Sequence, residues 1–283
     1  MRFLCAIILV VGVAMPIHGE DVQGWSFSGS LNGSSNSDGV VIKAQPAASY
    51  TFNNHFQTYV GLPFYFVNIS STATSTAGGF ENGIGNAFVG FRLGVDNETL
   101  NYSSNLEFTA PTGDKSKGFS TGRVTADWTN RFSHKFTSIT PFGSIGIANT
   151  ISDTAFFVRP FTSLGVVGHF EGGATYDVSP LVSFGGSAYA VRGSGQQRIF
   201  SKVIKRSAVS GSSQVGGKGN SKNRVFESQT ETVAQADIAN DHGASVWLGV
   251  SPTREVDFHI GYSRSVNYDF NTFFFGVGFR LGK

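Results

Sequence analysis

The chain has 283 residues, of which 40% are hydrophobic and only 14% charged, with 21 basic side chains against 19 acidic ones. A balance so near neutral excludes the global basic field of a nucleic-acid-binding protein, and no nucleic-acid partner is expected. The 36 glycines and 27 phenylalanines, with Ser, Thr and Asn crowding the gaps, form a strand-and-turn vocabulary poor in helix formers.

The first segment, MRFLCAIILVVGVAMPIHGE, carries one positive charge at Arg2, an apolar run from Phe3 to Val13 and a small-residue site at Gly19. That run is too short to cross a bilayer as a helix, so residues 1–19 read as a secretory signal peptide and 20–283 as the exported chain. The lone Cys5 leaves with it, so neither a disulfide nor a thiolate metal site is expected.

Beyond residue 20 the hydrophobic period is two. Twelve strands are predicted, near 25–31, 40–52, 56–66, 88–95, 100–110, 123–132, 139–148, 161–176, 181–191, 244–251, 256–263 and 273–281. In the segment 88–95, Val89, Phe91, Leu93 and Val95 oppose Phe88, Gly90, Arg92 and Gly94; in 256–263, Val256, Phe258, Ile260 and Tyr262 oppose Asp257, His259, Gly261 and Ser263. One parity is large and apolar, while the other is mostly Gly, Ser, Thr, Asn and Tyr.

The connections alternate in length. Short turns fall at 53–55, 96–99, 133–135, 177–180 and 251–255, and most of the intervening links are long, at 32–39, 68–83, 111–122, 149–157 and 193–241. This is the pattern of an all-β, transmembrane, antiparallel up-and-down β-barrel of about twelve strands in a bacterial outer membrane, with short turns periplasmic and long loops outside. A soluble sandwich or lipocalin-like barrel would instead expose a charged face. Trp25, Phe56, Phe66 and Trp128 lie towards strand ends on the apolar parity, as an interfacial aromatic girdle requires.

In such a barrel the second parity faces the lumen. It offers Lys43, Arg92, Arg123, Arg131 and Arg280 against Glu107, Asp127, Glu171 and Asp257, with His169 and His259. The signs nearly cancel, so cross-strand ion pairs that hold register are the expectation, and a selective permeation path is the functional alternative. Twelve strands lie between barrels filled by side chains and barrels with an aqueous channel.

Two segments carry a resemblance. FTAPTGDKSKGFSTG contains Pro111, Thr112, Gly113 and Asp114, then Gly118, Ser120, Thr121 and Gly122, and NGIGNAFVGFRL upstream contains Gly83, Gly85 and Asn86. These resemble the PTGD…GxxTG and GLGD signatures of the outer-membrane proteins named for the meta-cleavage (MetA) pathway of phenol degradation, with Asn86 in place of the family's usual Asp. The resemblance implies a β-barrel that admits aromatic or other hydrophobic compounds. As a physical device the PTGD stretch reads as a folded-in loop: Pro111 removes a ladder donor, Gly113 permits positive φ, and Asp114 can bond back to the chain.

No catalytic residue, cofactor or metal is expected. No histidine has a serine two residues later, as outer-membrane lipid hydrolases would need, and His55 and His134 fall in predicted turns. No His/Cys pairing suits a metal. The basic stretch of Arg192, Arg198, Lys202, Lys205, Arg206, Lys218, Lys222 and Arg224 suits a solvated loop facing anionic lipopolysaccharide. The closing strand, Phe273 to Leu281, is expected to pair with the first around Trp25 to Leu31, and Phe279 or Leu281 to serve the barrel-assembly machinery. The function expected is passive uptake of a small-molecule solute through a barrel held in outer-membrane lipids; a non-transporting barrel with a surface role through its loops is the alternative.

Overall fold

A computed structural model describes residues 23–36, 39–69, 79–97, 99–151, 158–202 and 231–282. Residues 1–19, the expected signal segment, lie outside the described residues, as does 203–230 of the long 193–241 segment.

Fifteen strands form one antiparallel sheet closed on itself. They are β1 (Gly24–Asn36), β2 (Gly39–Asn53), β3 (Phe56–Gly61), β4 (Phe64–Ile69), β5 (Gly79–Ile84), β6 (Phe88–Val95), β7 (Asn101–Thr109), β8 (Thr125–Ser133), β9 (Ile139–Ala148), β10 (Phe161–Ser179), β11 (Val182–Ser201), β12 (Glu231–Ala234), β13 (Asp241–Val250), β14 (Val256–Ser265) and β15 (Phe270–Gly282). Three pairs, β3/β4, β5/β6 and β12/β13, are interrupted staves, so the closed wall has twelve. Closure joins the ends: Trp25 lies opposite Leu281 and Leu31 opposite Phe275. Every sheet edge is thereby paired around the barrel's lower girth, which is what a bilayer demands of a spanning sheet.

The apolar parity points outward all round the wall. Leu31, Leu93, Trp128, Ile147, Phe170, Phe184, Ile260 and Phe273 are exposed, Ile260 at 57% and Phe273 at 67%. Such a continuous apolar band is at home in hydrocarbon and would be an aggregation liability in water. At the short-turn end a string of rings follows the rim: Trp25 with Tyr50 at 5.2 Å, Tyr50 with Phe52 at 4.8 Å, and Phe52 with Phe56 at 5.2 Å between centroids.

At the long-loop end the wall rises further than alternation predicts. β1 and β2 run through most of the expected 32–39 loop, and β11 continues to Ser201 inside the expected 193–241 loop, paired with β10 and β12. These extensions stand above the apolar band, so their outward residues include Ser35, Arg192 and Arg198 and no longer read as hydrophobic. β5 lies in the segment expected to be the 68–83 loop, and a two-residue break at Leu62–Pro63 divides the third stave, where proline cannot donate to a ladder.

Side chains occupy much of the interior at this end. One buried cluster joins Phe161, Val167, Val191, Ile199, Ile238, Tyr268 and Phe270, and a second joins Val41, Tyr65, Val67, Ile69, Phe119 and Val158. Within the first, Arg159 and Asp241 form an ion pair of 3.2 Å with side chains 1% and 0% exposed. Asp241 also accepts from Tyr189 Oη at 3.1 Å and Ser265 Oγ at 2.6 Å, which is how a buried carboxylate is kept satisfied.

Candidate functional site: the barrel interior and its inward loop

Inward positions combine glycine with rings. In register pair after register pair, a ring on one strand lies over a glycine on the next: Tyr59 over Gly90, His169 over Gly146, Trp247 over Gly185, Phe274 over Gly261. A Cβ at any of these four glycines would collide with that ring. Each glycine is therefore a floor that lets a ring lie flat against the wall instead of standing into the lumen.

The same device lets polar groups bond across an intervening strand. Tyr59 on β3 passes over Gly90 of β6, and its hydroxyl donates to Glu107 Oε2 on β7 at 2.9 Å and accepts from Asn105 Nδ2 at 2.8 Å. His169 on β10 passes over Gly146 of β9, and its Nε2 meets Asp127 Oδ1 on β8 at 3.1 Å. Glu107 and Asp127 are register partners, so five groups make one polar belt from β3 to β10. Deeper in the interior, Phe142, Trp247 and Phe274 form a buried aromatic cluster. The Arg131 guanidinium lies 3.7 Å from the Phe142 ring centroid, a cation–π arrangement that holds a charge where water is scarce.

The sequence-predicted interior residues fall into groups. Glu107, Asp127 and His169 come together in the belt. Arg280 pairs with Asp257 near the short-turn end, where Ser251 Oγ also donates to Asp257 at 2.7 Å. His259 is 4% exposed over Gly276, beside Phe274 at 6.2 Å. Lys43 is buried on the inward parity of β2, while Arg92 on β6 and Glu171 on β10 are half-buried on theirs. Arg123 stands apart: β8 begins only at Thr125, and Arg123 is exposed in the preceding loop, its carbonyl accepting from Thr121 Oγ1 at 3.0 Å. Parity alone overreached there, because it does not say where a strand stops. Tyr59, Asn105, Phe142, Trp247 and Phe274 belong with the interior groups although they carry no charge; their signal was an aromatic or amide on the glycine-rich parity.

The two motif segments, about thirty residues apart in sequence, meet in space. Thr112 Oγ1 donates to Gly85 O at 2.9 Å and accepts from Ala87 N at 2.8 Å, and Gly113 N approaches Asn86 Oδ1 at 3.4 Å. Asn86 thus serves through its amide oxygen as an acceptor for backbone. Asp114 caps a short 3-10 turn, Lys115–Lys117, by accepting from Ser116 N at 2.8 Å, and the Ser116 bonds hold its carboxyl below the usual carboxylate range. Gly118 ends the turn at φ 70°, pressed so closely on the Ser201 backbone that no side chain would fit. Phe119 then turns inward, 1% exposed, and stacks on Tyr65 of β4 at 5.3 Å, with Gly83 beneath its ring. Gly122 supplies a second left-handed turn at φ 68°, where Gly122 N donates to Ser120 Oγ at 3.0 Å. Pro111 leads the chain out of β7. The PTGD residues themselves do not fold in: Pro111, Thr112 and Asp114 stay exposed, and it is Gly118, Phe119, Ser120 and Thr121 after them that are buried.

With this geometry in place, comparison with known proteins becomes specific. No family model matches the sequence, and no curated protein matches it. The fold has solved counterparts: the COG4313 outer-membrane channel from Pseudomonas putida F1 superposes with a TM-score of 0.62 over 94% of this chain and 99% of that one, at 14% identity. The NanC porin superposes with a TM-score of 0.50 over 90% and 100%, at 10% identity. The chain is a closed twelve-stave antiparallel β-barrel, the fold it shares with those two proteins. At these identities the likeness is one of fold.

Proposed function

We propose that the protein is an outer-membrane channel for passive uptake of small molecules, hydrophobic and aromatic ones included. The observation that carries this reading is the inward loop: residues 111–122 place Phe119 on the inner face of a closed barrel, as a constriction does in a conduit. The interior beyond it holds the packed rings of Phe142, Trp247 and Phe274 and polar groups of both signs, and among the described residues no ring of a single charge stands there to select for ions. In this reading Lys43, Arg92, Glu107, Asp127, Arg131, His169, Glu171, Asp257, His259 and Arg280 line or brace the path. Residues 1–19 direct export, the barrel-assembly machinery inserts the chain, the apolar band sits in outer-membrane lipid, and the long 193–241 segment faces lipopolysaccharide outside.

A second reading also has an observation behind it. The buried clusters around Phe161, Tyr268 and the Arg159–Asp241 pair fill the long-loop end, which suits a non-conducting barrel with a surface role. Two measurements separate the readings. Expression in cells with an intact lipopolysaccharide layer should speed entry of the apolar fluorophore N-phenyl-1-naphthylamine, and purified protein in liposomes should pass small neutral sugars slowly or not at all. A fluorophore rate equal to that of cells lacking the protein would favour the surface role.

A further inference from the structure

Charge on the outer surface is not evenly matched. Lys135 is paired with Asp177 and Arg264 with Asp269, one carboxylate to each cation. Where the motif loop meets β11 and β12, four cations, Lys115, Lys117, Arg123 and Arg198, stand with two carboxylates, Asp114 and Glu231, among the described residues. Asp114 is turned back on Ser116, and Lys117 Nζ donates to Asn82 O at 3.3 Å. The other three cations gather on Glu231. Lys115 Nζ lies 2.8 Å from its Oε2 and Arg198 Nη1 3.4 Å from its Oε1, and Arg123 adds its charge at the same carboxyl. One carboxylate among three cations leaves the patch short of negative charge.

The patch is held in shape and open from outside. The Lys115 ammonium stands 5.2 Å from the centre of the Phe200 ring, and its stem passes over Gly122, where a Cβ would come within 3.0 Å of Cδ. About half of each side chain is uncovered, 49% for Lys115 and 51% for Arg198, so an external anion reaches both. Beneath the cations the surface is apolar. Val233, the register partner of Arg198 on the same face, is 59% exposed, and Val124, which follows Arg123 in sequence, is 60% exposed. The three cations therefore stand where the lipid-facing surface gives way to the polar rim, at the height of lipid head groups.

We infer that Lys115, Arg123 and Arg198 form a binding site for the phosphorylated sugar head of an outer-leaflet glycolipid, and that Glu231 occupies the anion's place when the lipid is absent. The inference rests on the outer-membrane placement proposed above. It narrows the lipopolysaccharide contact from the whole 193–241 segment to three side chains, two of which, Lys115 and Arg123, lie outside that segment. A phosphate monoester brings up to two negative charges and three acceptor oxygens, enough for an ammonium and two guanidinium groups at once, where a carboxylate has two oxygens and one charge. Acyl chains below the phosphate then lie along the apolar surface at Val124 and Val233. Because Glu231 competes for the same cations, removing its charge tightens the site, which the loss of a merely structural ion pair would not do.

The test uses the full-length protein in dodecyl maltoside micelles, titrated with bis-phosphorylated lipid A, with the same lipid stripped of its phosphates, and with inorganic phosphate, bound lipid being read by native mass spectrometry. Wild type should hold the phosphorylated lipid about tenfold more tightly than the dephosphorylated one. Lys115→Ala and Arg198→Ala should each weaken that binding by about fivefold, and Glu231→Gln should tighten it by about threefold. Heat-shifted gel mobility checks that each variant is folded, and the comparison of the two lipids needs no variant. Equal binding of the two lipids, alanine variants that bind as wild type does, or weaker binding by Glu231→Gln would overturn the site. Inorganic phosphate that displaces the lipid at equal concentration would reveal an adventitious ion only and overturn the glycolipid as occupant. These results leave the outer-membrane placement standing; recovery of the wild type outside the outer-membrane fraction of cells would overturn that placement instead.

Discussion

Two walls of one barrel are held by different means. From β13 through β15 to β1 the ladders run without a register shift, and the long-loop end is closed by a dry core around Arg159 and Asp241. From β3 to β6 the staves break at Leu62–Pro63 and at 85–87, and a loop latched by side chains stands where a ladder would run. The contrast teaches that a closed sheet need not be equally closed everywhere. Ladder bonds hold one side, and side-chain bonds from the motif loop hold the β5 edge of the other.

The largest effect is expected on the fixed side. Asp241→Ala would remove the buried carboxylate that Arg159, Tyr189 and Ser265 share, a loss of about 3–5 kcal/mol. In detergent it should lower the temperature at which the folded form loses its compact gel mobility, with the motif loop's hydrogen exchange little changed below that point. An equal loosening of both walls would break the comparison. Next comes Gly261→Leu, which drives a side chain into the Phe274 ring and the Val246 backbone and should cost ~1–3 kcal/mol. Its companion Phe274→Ala in the same chain should recover part of that loss in the same gel assay, because the ring is what the leucine strikes.

Much of this contrast was legible in the sequence, though not evenly. Alternation placed the twelve staves, the pairing of Phe273 to Leu281 with the first strand, and the turns at 53–55 and 251–255, because hydrocarbon on one face demands an unbroken apolar parity. It could not place β5 or the upper ends of β1 and β11. β5 is only six residues long, with Asn82 between outward Phe80 and Ile84, too short a run to signal alternation; the upper ends of β1 and β11 carry outward Ser35 and Arg198, which have no apolar signal. The glycines of the inward parity were visible, but not that Gly90 and Gly146 serve as floors for Tyr59 and His169, since that depends on cross-strand register. The loop at PTGD was legible from Pro111 and Asp114, but Gly113 is not at positive φ: it is a close approach to the Gly85 and Phe119 backbones, and the left-handed positions fall later, at Gly118 and Gly122. That Thr112 would reach Gly85 depended on bringing two distant segments together.

On the side held by side chains the effects should be smaller and local. Thr112→Val keeps the shape of the side chain and removes both its bonds, for a cost of about 0.5–1.5 kcal/mol. Amide exchange at Ala87 and Gly113 should quicken while global unfolding stays nearly where it was. A shift of the whole unfolding transition as large as that of Asp241→Ala would mean that the seam is as much a part of the frame as the ladders are.

The smallest effect tests whether charge also fastens the loop. Lys115 Nζ lies 2.8 Å from Glu231 Oε2, tying the motif loop to β12 above the apolar band, and Arg198 approaches the same carboxylate at 3.4 Å. The bond from Lys115 holds the Glu231 carboxyl below its ordinary range. A depressed carboxyl stabilises the folded arrangement above its unfolded value of about 4.3, and that contribution disappears as pH falls through the lower, folded value. The pair is solvent-exposed, so it contributes a few tenths of a kcal/mol, less in high salt. Protection of the Gly118 and Phe119 amides should therefore be higher at neutral pH than in acid by a factor of about two, and Glu231→Gln should abolish that difference. If the variant kept the full pH dependence, the loop would be fastened by Thr112, Lys117 and Phe119 without help from the Lys115–Glu231 pair.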